Sequence, residues 1–172
     1  LSWAVEDLNP AWDSPASGDA DAERVAFLQA ADLAETFLRR RIAATGARLR
    51  ARDAVLAAQA ASTDPRILEL PGKLPWEEAV HAAGLPVLYA IYPVPNGNWM
   101  IDAMPVVPNA FEQRHPLPEA WAGLRDGDLA AATGVVDAVF VHLRRFVGAA
   151  RSRDGALAMA RAALPSLDCT TI

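Results

Sequence analysis

Between Phe140 and Arg153 the chain reads FVHLRRFVGAARSR, an apolar strand ending at His142 followed by small residues set among arginines. Guanidinium groups grip phosphates and carboxylates through paired, planar N–H donors. A small residue such as Gly148 lets a ligand approach backbone N–H groups. A strand that feeds such a turn and then a helix gathers N–H groups and the helix dipole at one spot. The chemistry expected here is anion recognition, with Arg144, Arg145, Arg151 and Arg153 bracketing Gly148, Ala149 and Ala150, and with His142 adding a hydrogen bond or a charge. The competing reading is a satisfied core histidine and solvated arginines. Residue chemistry alone leaves both open.

Other site types find no support. His81, His115 and His142 are isolated, with no HxxxH, HxH or CxxC spacing, so a dedicated metal site is not expected in this chain. There is no GxSxG elbow, no GxGxxG or Walker loop, and the one cysteine, Cys169, has no supporting context. A net charge of −5 argues against indiscriminate nucleic-acid binding and leaves room for a local basic patch. No apolar run approaches the roughly 18 residues of a membrane span. The single cysteine fits a reducing compartment. Alanine is abundant and arginine far outnumbers lysine, of which Lys73 is the sole example. That composition suggests a bacterial, cytoplasmic protein.

These residues need elements to hold them. Residues 1–20 read as an interdomain linker or docking segment, in which Leu8, Pro10 and Trp12 dock on a core. Residues 21–172 read as one domain. A long helix is predicted from about Asp21 to Ala61, where proline is absent and alanine, arginine, leucine and glutamate dominate. Phe27, Leu38, Ile42, Leu49 and Leu56 fall near one stripe at helical spacing, and the six arginines of 39–52 read as a solvated surface. Ile67 to Leu70 is a short strand, and Pro75 opens a short helix that ends before Gly84. Asn96-Gly97 between two β-prone runs, 86–92 and 99–104, signals a hairpin. Asp102, the one charge in the second of these runs, is expected to face solvent. Four prolines between Pro105 and Pro118 mark a loop, which ion pairs of Arg114 and Arg125 with Glu119 and Asp126 would pin. Short helical turns follow at 118–122 and 126–133, then a strand at 137–142 and a helix at 153–164 capped by Ser152. The fold class expected is α+β: a mixed, mostly antiparallel sheet of four or five strands with packed helices, one of them long and N-terminal.

At several of these residues the chain resembles the C-terminal half of the melanocyte proliferating gene family. Phe111, Arg114, Pro116, Leu117, Pro118, Glu119, Trp121, Gly123, Leu124, Arg125 and Asp126 spell F-x-x-R-x-P-L-P-E-x-W-x-G-L-R-D. Phe140, Val141 and His142 match its F-V-H strand end. Phe146, Gly148, Arg151, Gly155, Ala156, Leu157, Met159, Ala160 and Arg161 match its glycine turn and last helix, and Leu8, Asn9, Pro10 and Trp12 match an L-N-P-x-W segment. The resemblance implies a two-domain phosphohydrolase, a 3′→5′ RNA exonuclease or nucleotide phosphoesterase. Its DHH-type N-terminal domain, with a divalent cation such as manganese, would lie outside this chain. The chain would be the DHH-associated, substrate-binding domain, inactive alone, with RNA or a nucleotide phosphate as its partner. A beginning at Leu1 fits a piece of such a protein. By the same resemblance Gly148, Arg151 and Arg153 form the substrate-binding turn, with Arg114 and His142 in support. One departure stands out: the family's turn reads G-G-H-R-T-R, whereas Ala149 and Ala150 replace its second glycine and its histidine. The alternative is therefore a non-catalytic interaction module, with the long helix offering a face for a homodimer.

Overall fold

The computed structural model describes the backbone of residues 20–108 and 110–165, and side chains from Arg24 onward. The 1–20 segment and Cys169 fall outside the described residues, apart from Ala20 itself. Among the described residues the architecture is α+β, with a five-stranded mixed sheet and four α-helices. The elements are α1 (Ala20–Ala61), β1 (Ile67–Glu69), α2 (Glu77–Ala82), β2 (Tyr89–Pro93) and β3 (Trp99–Ala103), then a 3-10 turn (Glu119–Trp121), α3 (Asp126–Thr133), β4 (Ala138–Val141), β5 (Val147–Ala150) and α4 (Arg153–Ala163).

Contacts divide the chain into two units, one ending at Gly46 and the other beginning at Ala47. In the first, α1 carries a Glu35–Arg39 ion pair at 2.6 Å, one helical turn apart. Phe27, Leu38 and Ile42 are exposed there, as are Leu49 and Leu56 further along α1. Within the second unit α1 meets the core through Ala51 and Val55, both fully buried. Small side chains let the helix approach closely, which a stripe of large residues would not.

The second unit is built on the sheet, in the order β1-β2-β3-β5-β4, with β1–β2 parallel and every other pairing antiparallel. Alternation along the strands sends side chains to opposite faces. One set, with Ile67, Tyr89, Ile91, Ile101 and Ala150, meets Ala156, Met159 and Ala160 of α4. The other, with Leu68, Ala90 and Tyr92, meets Val55 of α1 and Trp76 and Val80 at α2. Fully buried aliphatic side chains of this kind stabilise by about 1.5–3 kcal/mol each. The hairpin forms where expected, with Gly97 at a φ of 87° that side chains rarely adopt.

Two local expectations are corrected. The stretch from Gly148 to Ala150 is no turn. It is strand β5, paired with β3 on one side and β4 on the other. The real turn lies earlier, at 142–146, where Arg145 adopts a left-handed φ of 62°. The proline-rich loop is also not pinned by ion pairs. Arg114 donates instead to the carbonyls of Leu85 (2.8 Å) and Val87 (3.2 Å), Arg125 lies 5.6 Å from the Phe140 ring centre, and Asp126 pairs with Arg151.

Gly148 is required by space, since its φ is not in the left-handed region. A Cβ there would come within 3.1 Å of the Phe140 carbonyl oxygen, 3.2 Å of Val141 Cγ2 and 3.3 Å of Leu117 Cδ1. Gly148→Val is expected to cost about 1–3 kcal/mol by overpacking, read as a lower urea midpoint. An unchanged midpoint would remove the packing role.

Candidate functional site

Two arginines of the sequence pattern, Arg151 and Arg153, stand at one end of the sheet. Ser152 leaves β5 in an extended conformation (φ −123°, ψ 160°), and its side chain accepts from the Gly155 N–H at 3.0 Å, capping α4. The Arg151 N–H donates to the Asp137 carbonyl at 2.9 Å. The Asp137 carboxylate lies so close over Gly155 that any Cβ there would collide with it. The first turn of α4 thus already faces a carboxylate of the protein itself. Arg153 holds Glu69 with both arms of its guanidinium, at 2.6 Å each, and reaches Asp154 at 3.1 Å. Those partners, Glu69 first, raise its pKa further. Arg151 meets Asp126 at 3.3 Å, and both ion pairs are exposed. Beside the Arg153–Glu69 pair a cleft of about 850 Å³ is lined by Ser62, Thr63, Glu69, Trp99, Arg153 and Arg161.

A second concave region lies at the other end. β3 pairs Asp102 with Val147, the first residue of β5, and Trp99 with Ala150, the last. Asp102 therefore sits near the 142–146 hairpin tip, away from Arg151 and Arg153. Tyr92 donates to the Asp102 carboxylate at 2.6 Å. Burial, outweighing that hydrogen bond, pushes the Asp102 pKa up. Burial and then the neighbouring Asp102 do the same to Glu77. Burial also raises Tyr92, with Asp102 adding to it. These groups, with Lys73, line two adjoining clefts of about 540 and 840 Å³. On the larger cleft's wall His142 Nδ1 lies 3.0 Å from the donating Arg144 N–H, and the His142 ring stands 4.6 Å from that of Phe146. Asp102 is half-buried in this setting, so the expectation that it faces solvent is overturned.

The five residues singled out from sequence do not meet in one place. Arg151 and Arg153 share an end of the sheet, His142 belongs to the other, and Gly148 is buried between strands. Arg114 is half-buried, engaged with two carbonyls and 3.3 Å from His81 Nδ1. Sequence reasoning missed Asp102, Tyr92, Glu77 and Lys73 as a group. The signal was one acid inside an apolar strand, two residues from Met100 on the same face. Only the register with β2 reveals Tyr92. Among the described residues no group of three or more His, Cys, Asp or Glu side chains is placed to hold a metal ion, and no helix is long and apolar enough to cross a membrane.

A family model described as an uncharacterised protein family, UPF0160, matches residues 1–164. A human protein named MYG1 exonuclease is 40% identical over 95% of this chain and 46% of its own length. The MYG1 exonuclease of Bos taurus is 38% identical over 95% of this chain and 45% of its own. A MYG1 protein of Schizosaccharomyces pombe is 33% identical over 93% and 51%. The chain spans about half the length of these relatives. No solved structure matches it.

The raised carboxylates set a pH dependence. Asp102 and Glu77 hold their protons more tightly in the folded state than in the unfolded chain. Their contribution to stability is therefore fully present below the ordinary values of 3.8 and 4.5 and is lost as pH rises through the raised ones. Asp64, lowered chiefly by its hydrogen bond to Arg66, contributes with the opposite sign. Asp102→Asn keeps an acceptor for Tyr92 and removes the buried charge. It should be more stable than the parent at pH 7, with the gap closing towards pH 4, in urea titrations at both pH values. A variant destabilised at pH 7 would overturn the assignment.

Proposed function

The chain belongs to the uncharacterised protein family UPF0160, the family of the MYG1 exonucleases, and from that premise we propose that it is the substrate-binding, C-terminal domain of a metal-dependent phosphohydrolase, a 3′→5′ RNA exonuclease or a nucleotide phosphoesterase. The observation that carries the reading is the pair Arg151 and Arg153 flanking the Ser152 cap, with Arg153 lining an open cleft of about 850 Å³. Their carboxylate partners are exposed, and water screens such pairs so that they contribute little to stability. A phosphate can therefore displace Asp126 or Glu69 without unravelling the fold, and the fork geometry suits it. Arg153 binds, Arg151 assists, and Gly148 acts at a distance by letting β4 and β5 close. In this reading Arg114 fixes the proline-rich loop, and His142 serves the far end of the sheet.

The DHH-type domain and its cation, manganese in this proposal, would belong to the remaining half of the longer protein. The cation has no donor set among the described residues. When bound it would activate water and stabilise charge on the phosphoryl group. This chain's part is to hold and orient the phosphate. The bacterial cytoplasm inferred from composition is part of the same proposal. The relatives named above are eukaryotic.

A second reading, a non-catalytic or homodimeric module, is favoured by Ala149 and Ala150. Both are fully buried in β5, where the family pattern has a glycine and a histidine. Manganese-dependent cleavage of RNA ends by the full-length protein, against a stable inert oligomer in light scattering, separates the two. For this chain, Arg151→Ala and Arg153→Ala should each weaken binding of a short single-stranded RNA and reduce the slope of log affinity against log salt by about 1. Affinity equal to the parent's would sink the assignment.

A further inference from the structure

The hairpin tip at 142–146 and the loop carrying Phe111 interleave aromatic rings with cations on one wall of the 840 Å³ cleft. Phe111 is 89% exposed. The Arg144 guanidinium carbon lies 5.6 Å from its ring centre, within the range of a cation–π contact. Phe146, also exposed, stands 4.6 Å from the His142 ring. Gln113 donates through Nε2 to the Phe111 carbonyl at 3.1 Å, which fixes the backbone that presents the ring. Its Oε1 is buried with no hydrogen-bond partner among the described residues. Exposed Lys73 lines the same cleft, together with the Asp102 carboxylate held by Tyr92.

We propose that this cleft is a nucleobase subsite, taking an unstacked base of a single-stranded nucleic-acid end onto Phe111 with an adjacent phosphate on Arg144 and Lys73. Base faces stack on exposed aromatic rings and guanidinium planes, and single strands are bound in this way because their bases are free to splay out. The Asp102 carboxylate adds an acceptor, which suits a base that presents an amino group. The cleft is also not the place where Arg151 and Arg153 act. The four residues of β5 separate the two ends by about 13 Å at roughly 3.3 Å per residue. The base site and the phosphate site are thus two stations along one strand. The inference rests on reading the chain as the substrate-binding part of a nuclease, and it adds where base recognition takes place.

The test is an anisotropy titration of the 172-residue chain with a fluorescein-labelled short oligoriboadenylate and with an abasic strand of the same length. Phe111→Ala should weaken the oligoriboadenylate by about 5-fold or more and leave the abasic strand and the salt slope unchanged. Phe111→Trp should restore binding. Arg144→Gln should weaken both strands and lower the salt slope by about 1. Phe111 is exposed, so its variants should melt with the parent in circular dichroism. Unchanged affinity for Phe111→Ala, alongside a normal loss for Arg151→Ala, removes the base subsite and leaves the proposed function standing. An equal loss on both strands makes the ring structural and overturns the subsite. Self-association abolished by Phe111→Ala, with RNA binding intact, assigns the ring to a second copy of the chain and overturns it too. No binding of either strand by the parent at low salt removes both proposals.

Discussion

β3 must satisfy two neighbouring strands and two layers at once, and the second unit depends on that constraint. It pairs with β2 through five residues and with β5 through four. Ile101 and Ala103 point into the layer closed by α4. Met100 and Asp102 point the other way, towards α2 and the hairpin tip. A one-residue slip would exchange these sets and drive Asp102 into the apolar layer beneath α4. The hydrogen bond from Tyr92 makes the chosen register specific, because it gives the desolvated carboxylate a partner in one register only. Gly148, opposite Ile101, completes the arrangement by leaving room for Leu117 and Val141.

Much of this was legible in the sequence for local reasons. Asn96-Gly97, Gly84 and Ser152 are signals whose chemistry acts within a few residues, and each has the role expected of it, whereas Pro75 precedes Trp76, the N-cap of α2, and so lies just outside the helix it was expected to open. The elements missed or misoriented depend on distant partners. β5 reads VGAA, with one β-branched residue and no alternation, and it becomes a strand only because β3 and β4 flank it. The large residues of α1 form an exposed stripe, whereas Ala51 and Val55 meet the core. An alanine-rich helix carries too little contrast between its faces for spacing to settle its orientation. Asp102 was placed in solvent by its charge alone, and no local rule supplies a tyrosine on the neighbouring strand.

The site illustrates the same division. The arginine pattern around Gly148 spans two ends of a short strand, and that strand converts neighbours in sequence into separate stations in space. His142 and Arg144 end up with Phe111, over thirty positions earlier in the chain, while Arg151 and Arg153 end up with Asp126 and Glu69. Each station joins an element that the sequence announces to one that it does not. The proline-rich loop brings Phe111 to the hairpin tip because Arg114 ties it to the carbonyls of Leu85 and Val87.

That tie also explains why a motif arginine can matter without touching a ligand. Arg114 is half-buried, and its guanidinium reaches the carbonyls that immediately precede β2. Its own N–H donates to Met104 at 2.7 Å, just past the end of β3, so one residue fastens the loop to both strands of the central hairpin. One nitrogen, Nη1, serves both carbonyls while Nη2 lies 3.3 Å from His81 Nδ1, and lysine could supply the charge but not a planar fork that holds the carbonyls with one arm and the imidazole with the other. The loop's direction beyond Met104, and with it the position of Phe111 against Arg144, follows from that fork. Recognition chemistry at the cleft is thus built on a structural arginine, in the way a reactive or binding group is commonly held by neighbours that never meet the ligand.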